Sequence, residues 1–403
     1  MITRGEQMLA LRRRRMAASP PFLRGGFRPF FFGGAAWAVI ALALWLCSLA
    51  GAIELPTAID PLAWHRHEML FGFVGAIVSG FLLTAIPNWT GRLPIAGVPL
   101  VALFGSWVAA RVALLFSGVT GLLLAAVLDI GFFLVLAALG AREVLAANNR
   151  NLPVVGMVLL FGLADAVDYA AITGIVGAGD LGWMLALSLV VMMISLIGGR
   201  ITPSFTRNWM VKQGMRRGLP TQPGKFDLAV IAVTGFALLW WMTAPAGWMT
   251  AGVLLLASSL QAVRLARWGG IRTLSDPLVA ILHLGYAWVP AGLLLLGLAM
   301  GGLMPRSAAI HALTAGAMAT MILAVMTRAT LGHTGRELRA NGPTVAIYAL
   351  VTIGALLRVL APLNLVDYSL GMEIAGLAWG SALLLFLIAY GPILWKPRVG
   401  ESA

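Results

Sequence analysis

Apolar residues along this chain fall into twelve long blocks, approximately 31–53, 69–87, 98–117, 120–140, 152–174, 181–199, 228–244, 246–266, 277–300, 307–327, 343–361 and 370–393. Each is close to the roughly 20 residues that a helix needs to cross the hydrocarbon layer. The segments between them are short and polar, and none is long enough for a soluble domain. The pattern predicts an all-α, polytopic membrane protein of about twelve transmembrane helices, folded as one integral domain over residues 1–403. A basic amino-terminal segment covers 1–30, and a longer basic loop over 200–227 divides six spans from six.

Composition sharpens this picture. The chain is 60% hydrophobic and 11% charged, where soluble domains carry about 25% charged residues. A net charge of +13 would suggest nucleic acid as a partner of a soluble protein. Here the basic residues gather between the apolar blocks, which points to a lipid bilayer and away from nucleic acid. With the amino terminus inside, 24 of the 28 Lys and Arg residues lie on the inner side, Arg66 and Arg306 lie outside, and Arg111 and Arg358 lie within spans. The positive-inside rule then places both termini in the cytoplasm. The 200–227 loop, with Arg207, Lys212, Arg216, Arg217 and Lys225, reads as a topology signal and an anionic-lipid contact. A single cysteine, Cys47, excludes an intrachain disulfide and a thiolate cluster. No phosphate-cradling loop, nucleophile elbow or pair of catalytic carboxylates is present, which argues against an NTPase or a hydrolase.

The five histidines are the most telling polar residues. His65 and His67 open the second span in Trp64-His65-Arg66-His67-Glu68, and that segment closes in Asn88-Trp89-Thr90-Gly91-Arg92. His311 opens the tenth span, which closes in Gly332-His333-Thr334-Gly335-Arg336. Aligned without gaps, 67–92 and 311–336 match at six of 26 positions: the histidine, Gly72 with Gly316, Ala85 with Ala329, and Thr-Gly-Arg. Small residues recur at matched steps, a stripe that lets a helix or a flat macrocycle approach the backbone. A four-span repeat, giving three units, follows as an expectation.

Depth, counted at about 1.5 Å per residue, gathers these groups into two sets. His65, His67, Glu68, His311, Arg111 and Arg358 share the outer end. Two neutral imidazoles ligate haem iron axially, so His67 and His311 are expected as the pair, with His65 the alternative to His67. Arg111 and Arg358 at that depth suit haem propionates; the alternative is that both snorkel and the histidines are merely interfacial. At the inner side lie His283 and His333. His333 stands about 33 Å from His311 by helical rise, so the two cannot share a metal. His283, His333 and Met326 are the candidates for a copper site or a second haem, against a packing role for the methionine. Asp129, and Asp165 and Asp168 beside Tyr169, lie deeper in spans four and five. They read either as proton- or cation-handling groups or as hydrogen-bonded packing contacts. Tyr286, one turn from His283, is a candidate to orient it.

Phe27-Arg28-Pro29-Phe30-Phe31, Trp64-His65-Arg66-His67-Glu68-Met69, Gly80-Phe81-Leu82-Leu83-Thr84-Ala85, Asn88-Trp89-Thr90-Gly91-Arg92, Gly199-Arg200 with Pro203-Ser204-Phe205-Thr206-Arg207-Asn208-Trp209, Val325-Met326-Thr327-Arg328 and Gly332-His333-Thr334-Gly335-Arg336 together resemble the NnrS family. The resemblance covers essentially the whole chain. It implies a bacterial inner-membrane protein of the nitric oxide response, found with denitrification, that contains haem (b type is expected) and copper. It brings no settled reaction and no ligand assignment. A fold-level analogy links the chain to the haem-copper oxidases, whose catalytic subunit has twelve spans in three arcs of four and haem-binding histidines on spans two and ten. Spans six and seven here lack the histidines that hold copper in that superfamily, so its oxygen-reducing centre is not expected. The reading is therefore a haem and copper protein of nitrosative-stress defence. Its partners are nitric oxide or a nitrosyl species and a quinol or soluble electron donor, and a nitric oxide-related oxidoreductase reaction is the enzyme hypothesis. The rivals are a twelve-span transporter or exporter and a non-catalytic haem sensor or assembly factor.

Overall fold

The computed structural model describes residues 17–175, 177 and 179–400, together with Ala10 and Arg14. Among these residues there is no strand, and twelve helices are long and apolar enough to cross a membrane. They are α1 (Phe27–Leu49), α2 (Pro61–Thr90), α3 (Val98–Leu115), α4 (Leu122–Ala146), α5 (Leu152–Ile172), α6 (Leu181–Lys212), α7 (Lys225–Thr243), α8 (Trp248–Ala266), α9 (Pro277–Met300), α10 (Arg306–His333), α11 (Gly342–Leu363) and α12 (Tyr368–Trp395). The chain is a multi-pass, all-α membrane protein.

Local chemistry sets the helix ends. Asp60 caps α2 by accepting from the Leu62 and Ala63 amides at 2.9 and 3.1 Å, with Pro61 in the first turn. Asp276 and Asn341 cap α9 and α11 in the same way, each beside a proline. Such caps satisfy amides that the helix itself leaves without partners. α2, α6 and α10 run past their apolar blocks into polar sequence. The block expected to end at 199 continues as helix to Lys212, so the basic 200–227 segment is half helix and half loop. No helix-breaking glycine occurs there before Gly214, which takes φ +76°.

The echo between α2 and α10 extends to backbone geometry. A seven-residue π-helical segment follows His67 directly, over Glu68–Val74, and another follows His311, over Ala312–Met318. Both helices then end at a Thr-Gly-Arg whose glycine takes a left-handed conformation, φ +67° at Gly91 and +73° at Gly335. Matched π-segments and matched left-handed caps, in register with the six sequence identities, support a true repeat between these two spans. α6 carries a shorter π-helical segment, Ile194–Gly198. π-turns concentrate at functional sites because they turn a side chain out of α-helical register.

The chain forms two compact units. The first holds the residues up to Ala186, His333–Arg336 and the stretch from Leu387. In it α2 packs on α1 and α4, and α4 packs on α3 and α5. Arg28 ties α1 to the end of α12 by donating to the Leu394 and Lys396 carbonyls at 2.8 and 2.6 Å. Its core is aromatic, with Phe30, Phe71, Phe132, Phe133 and Phe161 fully buried in edge-on and tilted contacts. The second unit holds Leu187–Gly332 and Glu337–Phe386. There α9 packs on α8 and α10, and α11 packs on α10. Large apolar residues such as Val98, Leu123, Val127 and Leu377 stay exposed, as expected of helix faces that meet lipid rather than water.

Candidate functional site: a buried histidine–carboxylate cluster

At the end of the first unit that carries the α1–α2 connection, α2, α3, α4 and α5 converge on a set of fully buried ionisable groups. His67 is 0% exposed, and so are Glu68, Asp129 and Asp165; Asp168 and Arg111 are 1% exposed. His67 sits on the last α-helical turn before the π-segment and points toward α4 and α5. Its Nδ1 lies 3.0 Å from Asp168 Oδ2, its Nε2 3.0 Å from Asp129 Oδ2 and 3.6 Å from Asp165 Oδ1. The ring is walled by Phe71 and Tyr169, with centroids at 4.8 and 4.9 Å. Tyr169 Oη also reaches Asp129, at 3.4 Å.

Glu68, the first residue of the π-segment, turns the other way. It accepts from Trp37 Nε1 at 2.6 Å and from Arg111 at 2.7 Å. Arg111 also pairs with Asp129, so one guanidinium joins the two halves of the cluster. Gly72 makes this possible. A Cβ there would lie 2.9 Å from the Arg111 guanidinium and 3.0 Å from Trp37 Nε1, and closer still to Glu68. Four carboxylates thus face one guanidinium and one imidazole in a low-dielectric interior, where unbalanced charge is costly. Both oxygens of Asp165 are buried without a hydrogen-bond donor. A cavity of about 330 Å³, lined by Asp60, Ala63, Arg66, Ala171 and Asp168 among others, leads from the α1–α2 connection to the edge of the cluster. On the inner side, Phe71, Phe133 and Phe161 close it off.

The donor set fits a metal cation. His67, Asp129 and Asp165 each offer a ligand atom, all within 4.8 Å of one another. It does not fit a haem propionate, which would add negative charge to four carboxylates and compete with two of them for Arg111. The remaining outer candidates sit differently. His65 stacks on Trp45, with centroids at 4.8 Å and planes at 17°. His311 belongs to the second unit and donates from Nδ1 to the Ser307 carbonyl at 2.7 Å. Arg358, also in the second unit, has one buried guanidinium nitrogen without a hydrogen-bond partner.

Of the inner candidates, His283 and Met326 belong to the second unit and His333 to the first. His283 bonds Thr206 through Nε2 at 2.7 Å, while its buried Nδ1 has no partner and faces Gly270, where a Cβ would come within 2.5 Å. Met326 is fully buried. His333 is exposed, with its ring 5.5 Å from Phe27. Tyr286 does not orient His283. It joins a separate buried network in which Arg264 donates to Asp227, Ser195 and Tyr286 at 2.8–3.1 Å and Tyr286 donates to Gln261 at 2.6 Å. The network lies on α6–α9 and satisfies a guanidinium that is 1% exposed.

Sequence reasoning recognised Asp129, Asp165 and Asp168 as membrane-embedded acids but did not join them to His67. The signal was available. Asp129 lies two turns inside the outer end of α4, and Asp165 and Asp168 lie within two turns of the outer end of α5, which is the depth of His67 on α2.

These features define a class: a polytopic helical membrane protein with a buried imidazole–carboxylate centre. The chain belongs to the NnrS family, whose model, described as NnrS protein, matches residues 21–398. That membership connects it in general terms with the nitric oxide response. No curated protein matches the chain.

Proposed function

We propose that this chain is a bacterial inner-membrane protein that binds haem of b type and copper. In this reading it handles nitric oxide or a nitrosyl species in nitrosative-stress defence, with electrons from a quinol or a soluble donor. The observation that carries the reading is the family match over residues 21–398 on a scaffold of twelve membrane-crossing helices. Nitric oxide is small and apolar enough to partition into the bilayer, so a centre inside a membrane protein meets it where it accumulates. Haem, when bound, supplies an iron that coordinates nitric oxide.

Among the candidate axial ligands, His311 has its Nδ1–H held by a backbone carbonyl, as is usual for a metal-bound imidazole. His65 is the candidate on α2 that stacks on an indole. His67 would bind iron only by releasing Asp129 or Asp168. Arg358 suits a propionate better than Arg111, whose guanidinium is already shared between Glu68 and Asp129. For copper, His283, His333 and Met326 remain the candidates, with Nδ1 the donor that His283 would use.

The test is an optical and EPR spectrum of the purified protein, with metal analysis, before and after nitric oxide. A Soret band that shifts on addition of nitric oxide, together with a copper signal, is expected. A colourless preparation without copper, from cells supplied with both, overturns the reading in favour of a carrier.

A further inference from the structure

We propose that His67, Asp129 and Asp165 form a binding site for a divalent first-row metal ion of the zinc, ferrous or manganous type, reached from the outer face. The site is separate from the haem and copper assigned above.

The argument starts from what a proton alone leaves undone. His67 places Nδ1 against Asp168 and Nε2 against Asp129, each at 3.0 Å. A proton on Nε2 serves Asp129, but Asp165 at 3.6 Å is beyond hydrogen-bond reach. Asp165 is then a fully buried carboxylate with neither oxygen satisfied, an arrangement that native interiors avoid. A metal ion resolves all three contacts at once. Ligand atoms about 2.1 Å from a common ion are about 3.0–3.4 Å apart at octahedral or tetrahedral angles, and the Nε2–oxygen separations of 3.0 and 3.6 Å bracket that range to within about 0.2 Å. Asp168 then takes the position of the carboxylate that orients a metal-bound histidine through its Nδ1–H. Arg111, pairing with Asp129 and Glu68, offsets the remaining negative charge.

The donor set selects the ion. One imidazole with two carboxylates suits zinc, ferrous and manganous ions and gives a cuprous ion no soft ligand. The chain's one cysteine, Cys47, is exposed and is not among these residues. Three protein ligands leave coordination positions open, and the cavity from the α1–α2 connection ends at Asp168, beside the fully buried ligands, which is the side from which an ion would enter. Gly182 supports that wall, since a Cβ there would lie 2.5 Å from the Asp168 Cα and force α6 away from α5.

The experiment is zinc and manganese binding to the full-length protein in detergent after chelator dialysis. It is read by equilibrium metal analysis and by the shift of the unfolding midpoint with added metal. Wild type should bind zinc stoichiometrically and gain thermal stability, as any ligand selective for the folded state provides. Asp165→Asn should weaken binding by about 100-fold or more, and Asp168→Asn by about 10–100-fold. Asp165 makes no hydrogen bond, so its asparagine variant should fold, as size-exclusion chromatography would show. Cobalt loading of the unmutated protein tests the site without any variant, through visible bands of a nitrogen- and oxygen-ligated ion. Zinc binding that is the same in wild type and Asp165→Asn, or a folded wild type that binds neither zinc, manganese nor cobalt, overturns the proposal. The Soret band and copper content, measured on the same samples, report on the haem and copper reading independently.

Discussion

Glu68 and Arg111 meet at 2.7 Å inside the membrane-spanning part of the first unit, and the missing side chain of Gly72 lets them meet. Glu68 begins the π-helical segment and Gly72 lies within it, one turn on. The wider turn sends Glu68 toward α1 and α3 while His67, its neighbour in sequence, faces α4 and α5. Two adjacent residues thereby serve opposite sides of one cluster.

Gly72→Ala should therefore disturb the pair rather than merely crowd a helix. A methyl group would press on Glu68, Arg111 and the Trp37 indole together, and overpacking of this kind costs about 1–3 kcal/mol. Gly105 on α3 has nothing within 4 Å of its Cβ position, so Gly105→Ala should be neutral. Thermal unfolding of both variants in detergent checks this. Equal midpoints would show that the π-segment tolerates the methyl group.

Arg111→Leu should be more damaging. It strands Glu68 and Asp129 as buried carboxylates, and removing one partner of a buried ion pair costs about 3–5 kcal/mol. Arg111→Lys keeps the charge but reaches the two acids less well, so it should fall between. The check is the unfolding midpoint together with the yield of monodisperse protein. Wild-type behaviour of Arg111→Leu would mean that the guanidinium does not bridge these two acids.

The spans were legible because a bilayer demands long apolar runs, and all twelve blocks became helices. Their ends were less so. α2 begins at Pro61 and α10 reaches His333, because polar residues at the membrane interface continue a helix without lowering its free energy of burial. At the site, depth counting drew His67, Glu68 and Arg111 together, and the same count applied to Asp129, Asp165 and Asp168 adds them. Hydropathy could not supply rotation. Whether Asp165 faces lipid, another helix or His67 depends on how α4 and α5 turn about their axes, and nearly uniform apolar helices carry little periodicity to fix that. The π-segments were equally invisible, since Glu68–Val74 and Ala312–Met318 look in sequence like ordinary apolar helix.

The inner histidines should separate from the outer groups by their metal. His283→Ala removes an imidazole whose Nδ1 is buried without a partner, and His333→Ala removes an exposed one beside Phe27. Both variants should lower copper per protein while leaving the Soret band in place. Elemental analysis and EPR on the same preparations decide the point. Loss of the Soret band with copper retained would mean that these residues hold a haem.

The outer histidines give the sharpest discrimination, because His311 and His67 engage opposite kinds of neighbour. His311 has its Nδ1 proton committed to the Ser307 carbonyl, the arrangement in which a neutral imidazole binds haem iron. His67 is held between carboxylates through both nitrogens, a setting that suits a cation. His311→Ala should abolish the low-spin haem spectrum or convert it to high spin, and His65→Ala should perturb it. His67→Ala should abolish zinc binding while sparing most of the haem. Optical spectra and zinc titrations of the three variants separate the roles. If His67→Ala removes the haem and His311→Ala does not, His67 exchanges a carboxylate for iron in the assembled protein, and the assignment of the two histidines is reversed.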